Sequence, residues 1–111
     1  MLEDDPKKAI EHFQNELQKP LSEARKTGHL YGLAIARQKN AEYEQAEALL
    51  SELLEAEPSR LAFQLQMANL QLARGQHDMA INALAELYHT FPGNQAIALE
   101  YGKALLDQVK P

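Results

Sequence analysis

A chain of 111 residues, 45% apolar but only 6% aromatic, is one domain by the usual size range and has little material for two independent cores. Sixteen acidic against eleven basic residues leave a net charge of −5, which disfavours a phosphate-backbone partner, since binding nucleic acid needs a cationic footprint, and no nucleic acid is expected. No run reaches the roughly 18 apolar residues of a membrane span, Met1 to Pro6 carries acids where a signal peptide carries lysines, and the lack of cysteine removes disulfides and thiolate metal sites together.

In chain order, Asp5-Pro6 predicts a helix start, with Asp as N-cap and Pro at the first helical position. Ile10, Phe13 and Leu17 share one face of that helix, and Lys19-Pro20 ends it, with Pro20 placed to open the next segment. From Leu21 through Leu30, Leu33 and Ala34 to Arg37 the pattern fits one long helix, weakened at Gly28 and Gly32 by about 1 kcal/mol each. Lys39 to Glu42 then reads as a turn, with Asn40 as the left-handed residue. Tyr43, Ala46, Leu49, Leu50, Leu53 and Leu54 mark the inward stripe of the next helix, which Glu57-Pro58 stops. Leu61, Leu65, Ala68 and Leu72 mark a fourth helix, and Arg74-Gly75-Gln76 turns the chain. Ala80, Ala83, Leu84 and Leu87 mark a fifth, stopped at Phe91-Pro92. A last helix runs from about Asn94 to Val109, carrying Ile97, Tyr101, Ala104 and Leu105. The partner helix that would follow it is not written in the chain, so an apolar strip is left uncovered. That predicts an excised fragment, a homodimer through this C-terminal helix, or both.

Two of these segments are the same sentence. Ala34 recurs as Ala68, Ala46 as Ala80, Leu50 as Leu84, Leu53 as Leu87 and Pro58 as Pro92, always 34 residues on. The pattern resembles the tetratricopeptide repeat, in which a small residue at position 8 of the first helix and another at position 20 of the second let the two axes approach. The fold class implied is all-α, a solenoid of antiparallel helix pairs with an extra N-terminal helix. Residues 1–26 would be a capping helix and connector, 27–60 and 61–94 two full repeats, and 95–111 the first helix of an incomplete third. Leu30 and Gln64 stand where the family often has a large aromatic.

Catalytic and metal-binding patterns are absent from the sequence: there is no G-x-x-x-x-G-K, G-x-S-x-G or H-E-x-x-H. His12, His29, His77 and His89 include no pair at the helical spacing that aims two imidazoles at one ion. They read as solvated or helix-end residues, with His77 packing in the slot of Tyr43. Glu42, Glu44, Glu47, Glu52, Glu55 and Glu57 read as the wet face of one helix, and Met67 and Met79 as core gap-fillers. No cofactor is expected in this chain.

What remains is a binding face. The resemblance implies that the first helix of each pair lines a concave surface. Its contact positions, carried over one by one, give Tyr31, Ile35 and Gln38, then Leu65, Gln66, Asn69 and Leu72, then Leu99 and Lys103, with Gly28, Gly32 and Glu100 at neighbouring positions of the same set. Tyr31 and Leu65 stand where the chaperone-tail-binding subclass has lysine, so capture of such a tail is not expected. The partner predicted is a protein or peptide.

The wording from Tyr31 to Pro58, continued by Ala68 to Leu84, also resembles the C-terminal repeat region of bacterial periplasmic zinc metalloproteases of the β-barrel assembly-enhancing type. That resemblance implies a non-catalytic arm in the periplasm, with zinc and its H-E-x-x-H site elsewhere in a parent protein. It also implies partners among outer-membrane assembly components or the parent's protease domain. The alternative is a regulatory or structural arm whose groove is filled by its own catalytic domain.

Overall fold

The computed structural model describes residues 5–109, which form six α-helices and, among the described residues, no strand. Helix α1 is Pro6–Leu17, α2 Glu23–Lys39, α3 Tyr43–Ala56, α4 Leu61–Ala73, α5 His77–Thr90 and α6 Gln95–Val109. The all-α expectation and the helix-pair order stand. Residues 1–4, where the acidic start was read, and 110–111 lie outside the described residues.

Local chemistry fixes the ends of these helices. Asp5 Oδ1 accepts from the Lys7 amide at 3.0 Å and Pro6 takes the first position, as the sequence predicts. Helix α1 then closes at Leu17, where the Gln18 amide donates to the Asn15 carbonyl and the Lys19 amide to the Glu16 carbonyl. Pro20 does not open the next helix as predicted. Ser22 does, its Oγ accepting from the Arg25 amide at 3.3 Å, because an N-cap hydroxyl satisfies a donor that proline only omits. Asn94 caps α6 in the same way, accepting from the Ile97 amide at 3.0 Å.

The turn inside each pair is a repeated object. The Glu42 amide donates to the Arg37 carbonyl and, 34 residues on, the Gln76 amide donates to the Gln71 carbonyl, both at 2.8 Å. Gly75 supplies the left-handed residue of the second turn, with φ of 79°. In the first turn that residue is Ala41, with φ of 63°, and not Asn40, whose φ is −88°. The Asn40 side chain is engaged elsewhere: its amide donates to Glu42 Oε2 at 2.8 Å, while Arg37 grips Oε1 of the same carboxylate at 2.6 Å. That clamp holds the Glu42 carboxyl below the usual carboxylate range, the Arg37 hydrogen bond first and Asn40 second.

Packing divides the chain into two compact units, Met1–Phe63 and Gln64–Pro111. In the first, α2 packs against both α1 and α3. Ala34 and Ala46, one on each of α2 and α3, are fully buried, as close helix axes require. Ile10 buries against Leu33 and Ala36 of α2, with Ala9, Phe13 and Leu17 around them, so the front helix packs on α2. Gly32 is what permits this. A Cβ there would stand 2.5 Å from Phe13 Cζ, so the ring lies against bare backbone.

In the second unit Ala68, Leu84 and Ala104 form a buried cluster, flanked by Leu65, Leu72, Ile81 and Tyr101. Three stripes differ from their sequence reading. Phe63 and Leu70, each 1% exposed, are the deeply buried residues of α4, while Leu61, Leu65 and Leu72 keep part of their surface. That helix is apolar on more than one face, so spacing alone could not choose among them. Met79 is not a core gap-filler but 56% exposed, and Leu105 of α6 is also exposed.

Three measurements check these local accounts. Ala41→Gly is expected to stabilise by about 1 kcal/mol in denaturant melts by removing the Cβ from a left-handed residue. Gly28→Ala, into open space, is expected to stabilise by up to about 1 kcal/mol, whereas Gly32→Ala is expected to destabilise by about 1 kcal/mol because displacing Phe13 outweighs the helical gain. For Glu42 the folded carboxyl titrates below its reference value of 4.5, so its contribution is present above that pH and is lost as pH falls through the lowered value. Thermal melts from neutral pH down to pH 3 are expected to show a shallower acid decline in Glu42→Gln than in the parent chain.

Candidate interaction surface

Helices α2, α4 and α6 are the first members of their pairs, and each divides its residues between core and surface. Leu33, Ala34, Ala36, Phe63, Ala68, Leu70, Ile97 and Ala104 are buried; none of the nine residues predicted to contact a partner is. Three of the nine belong to the first unit and six to the second.

In the first unit Tyr31 is half-buried, its ring 5.2 Å from that of Phe63 in the first turn of α4. The Arg60 guanidinium lies 4.7 Å over the same Phe63 ring and pairs with Glu57 at 3.1 Å. Burial pushes the Tyr31 phenol up, opposed by the charge of Arg60. Ile35 lines a recess with Pro6, Ala9, Phe13, Gly32, Ala36 and Lys39, so α1 stands beside this part of the predicted face. Gly32 itself lies against the Phe13 ring. Gln38 is half-buried.

In the second unit Leu65 and Leu72 lean on the Ala68, Leu84 and Ala104 cluster, presenting only part of each side chain. Asn69 Nδ2 lies 3.5 Å from Glu100 Oε1, and Lys103 Nζ lies 3.7 Å from the other oxygen of that carboxylate. Glu100, outside the nine, thus ties two of them together across α4 and α6. Only its place in the repeat register could have pointed to it. Gln66 is half-buried, and Leu99 is 68% exposed.

This arrangement offers apolar contact with amide and charged edges. Among the described residues no group of three or more His, Asp or Glu side chains converges as a metal site would require, and no helix is long and apolar enough to cross a membrane. His29 lies between the Phe13 ring, 5.9 Å away, and Glu16 Oε1, 4.0 Å away. His77 Nδ1 is within hydrogen-bond reach of the Gly75 carbonyl at 3.2 Å, so it serves the turn and not only the packing expected of it.

Residues 62–94 match the tetratricopeptide repeat family. The matched tetratricopeptide segment takes in α4, the Gly75 turn, α5 and the Pro92 connector, which is the second of the two repeats read from the 34-residue period. Comparison with curated proteins finds no match. With six helices in this order among the described residues, the chain has a tetratricopeptide-like, all-α repeat fold, and the matched repeat suggests a protein-interaction module.

Proposed function

We propose that this chain holds a polypeptide segment against its first-of-pair helices, acting as the non-catalytic arm of a larger protein. The observation that carries the reading is the division of α4 and α6. Their buried residues build the core of the second unit, while Leu65, Gln66, Asn69, Leu72, Leu99 and Lys103 keep surface in common with Glu100. Partly exposed leucines supply burial, and the Asn69, Glu100 and Lys103 side chains supply hydrogen-bonding edges that fix the register of a bound chain. In the first unit Tyr31, Ile35 and Gln38 offer the same mixture on α2.

The identity of the parent is part of the proposal. The wording of Tyr31 to Pro58 supports a periplasmic zinc metalloprotease of the β-barrel assembly-enhancing type, engaged in outer-membrane protein assembly and quality control. Zinc would then belong to the parent's catalytic domain. The packing of α1 on Gly32 and beside Ile35 favours a second reading for the first unit, in which this face is covered within the parent and regulates it.

A displayed library of random peptides, selected on the isolated chain and measured by calorimetry, tests the binding face. Asn69→Ala and Lys103→Ala are each expected to weaken selected peptides by about tenfold. Asn82→Ala, on the exposed side of α5, is expected to leave them unchanged. Equal losses for all three, or no selected peptide at all, would refute the proposal. In the full-length parent, deregulated proteolysis from the same substitutions with recruitment intact would favour the regulatory reading.

A further inference from the structure

Within the first unit, small residues leave a trough between α1 and α2. Gly32, Ile35, Ala36 and Lys39 fall on one stripe of α2, with Ala9 and Phe13 opposite them on α1. Three of these six are glycine or alanine, so the helices meet without filling about 240 Å³ between them. From Gly32 to Lys39 the stripe runs about 10 Å along the helix, the length of about three residues of extended chain. The volume falls below the roughly 300 to 1,000 Å³ of a small-molecule site and suits one large side chain.

Charge identifies the kind of chain that would bring that side chain. Lys39 is the charged residue of the lining. The helices that form the trough share its sign: residues 5–39 hold seven basic against four acidic residues, in a chain whose net charge is −5. Residues 40–57, by contrast, hold six acids and no lysine or arginine. The acids nearest the Lys39 end are already engaged, since Asp5 caps α1 through the Lys7 amide, and Glu42 is gripped by Arg37 and Asn40. A cationic end on an apolar trough also describes a surface for anionic lipid. Insertion into a bilayer needs protruding apolar side chains, however, and among the described residues the exposed large ones lie on α5, α6 and the connector between them, none on α1 or α2.

We propose that the trough receives one large apolar side chain of an acidic partner polypeptide, with a carboxylate within about three residues of that side chain meeting Lys39. This rests on the reading of α2 as a polypeptide-binding helix, on which Ile35 is a predicted contact, and it names the chemistry of the segment held there. The apolar side chain supplies burial against Phe13 and Ile35. The carboxylate selects the segment and fixes its direction along α2.

Titration of a defined peptide into the whole 111-residue chain, followed through its isoleucine methyl resonances, tests this, with circular dichroism confirming that each variant is folded. The probe is acetyl-Gly-Glu-Glu-Phe-Glu-Glu-Gly-amide. Ile35 is expected to shift with millimolar affinity, while Ile81 and Ile97 of the second unit stay still. Counterparts with alanine for phenylalanine, or with lysine for every glutamate, are expected to bind at least about tenfold more weakly. Lys39→Glu, at an exposed position, is expected to weaken the probe by about fivefold and Lys39→Arg to restore it. Lys26→Glu makes the same change of net charge about 20 Å away along α2 and is expected to leave the affinity unaltered. A silent Ile35, equal binding of the lysine peptide, or equal losses from Lys26→Glu and Lys39→Glu would overturn the proposal. So would an Ile35 shift produced by phosphatidylglycerol vesicles but not by the probe, which assigns the trough to a membrane surface, or one produced by raising the concentration of the chain alone, which assigns it to a second copy. A peptide that depends on Asn69 beside a silent Ile35 sinks this inference and leaves the binding reading of α4 and α6 standing. The opposite pair of results leaves the trough and removes the α4–α6 site.

Discussion

Every feature of this molecule depends on how closely two helices approach inside a pair, and alanine sets that distance. Ala34, Ala46 and Ala80 are fully buried and Ala68 is 2% exposed. Axes that cross over such residues come within about 8 Å, where dispersion contacts multiply and no large side chain must be accommodated. The larger residues are thereby displaced to the flanks of the crossing, where Leu50 and Leu84 are buried one turn beyond Ala46 and Ala80. Among the described residues the buried set holds no polar or charged side chain, so the core exacts no ion-pair desolvation.

The turn that follows each first helix shows how a backbone device outlasts its side chains. Both turns close with the same amide-to-carbonyl bond, yet one surrounds Glu42 with Arg37 and Asn40 and the other has Gln76, Gln71 and Arg74 at those places. The second set is less well satisfied, since Gln71 Oε1 is buried with no hydrogen-bond partner where Arg37 has a carboxylate. The left-handed residue differs in the same sense: Gly75 adopts it freely and Ala41 against a steric penalty. The first turn therefore combines a better side-chain clamp with a worse backbone residue, and the second the reverse. Both arrive at one geometry.

These contrasts explain what the sequence disclosed. The helix order, the stops before Pro58 and Pro92 and the alanine couples were legible because each depends on residue size or backbone chemistry at a fixed place. The left-handed residue was misplaced at Asn40 because its intrinsic preference was weighed without Glu42, which holds its side chain. The stripe of α4 was misread because Phe63 and Leu70 compete with Leu61, Leu65 and Leu72 on a helix apolar around most of its circumference. Met79 looked internal by spacing and lies outside. For the candidate surface, register identified residues that retain exposure, but not that Phe13 lies over Gly32 or that Glu100 joins Asn69 to Lys103. Such facts belong to pairs of helices, and a single-chain pattern describes one helix at a time.

Exposed leucines on an otherwise well-packed helix call for a physical reason. Fully burying a leucine is worth about 1.5 to 3 kcal/mol, so Leu99 and Leu106 together hold free energy that the second unit leaves unused. The same helix does not waste its other side: Ile97 and Ala104 are fully buried. A helix arranged in this way is stable enough to stand with one face open and gains when something covers it. The proposed peptide site draws on that property, since a bound segment would cover leucines that the second unit leaves exposed. Beside them the Asn69, Glu100 and Lys103 side chains would supply the hydrogen-bonding edges of that proposed site.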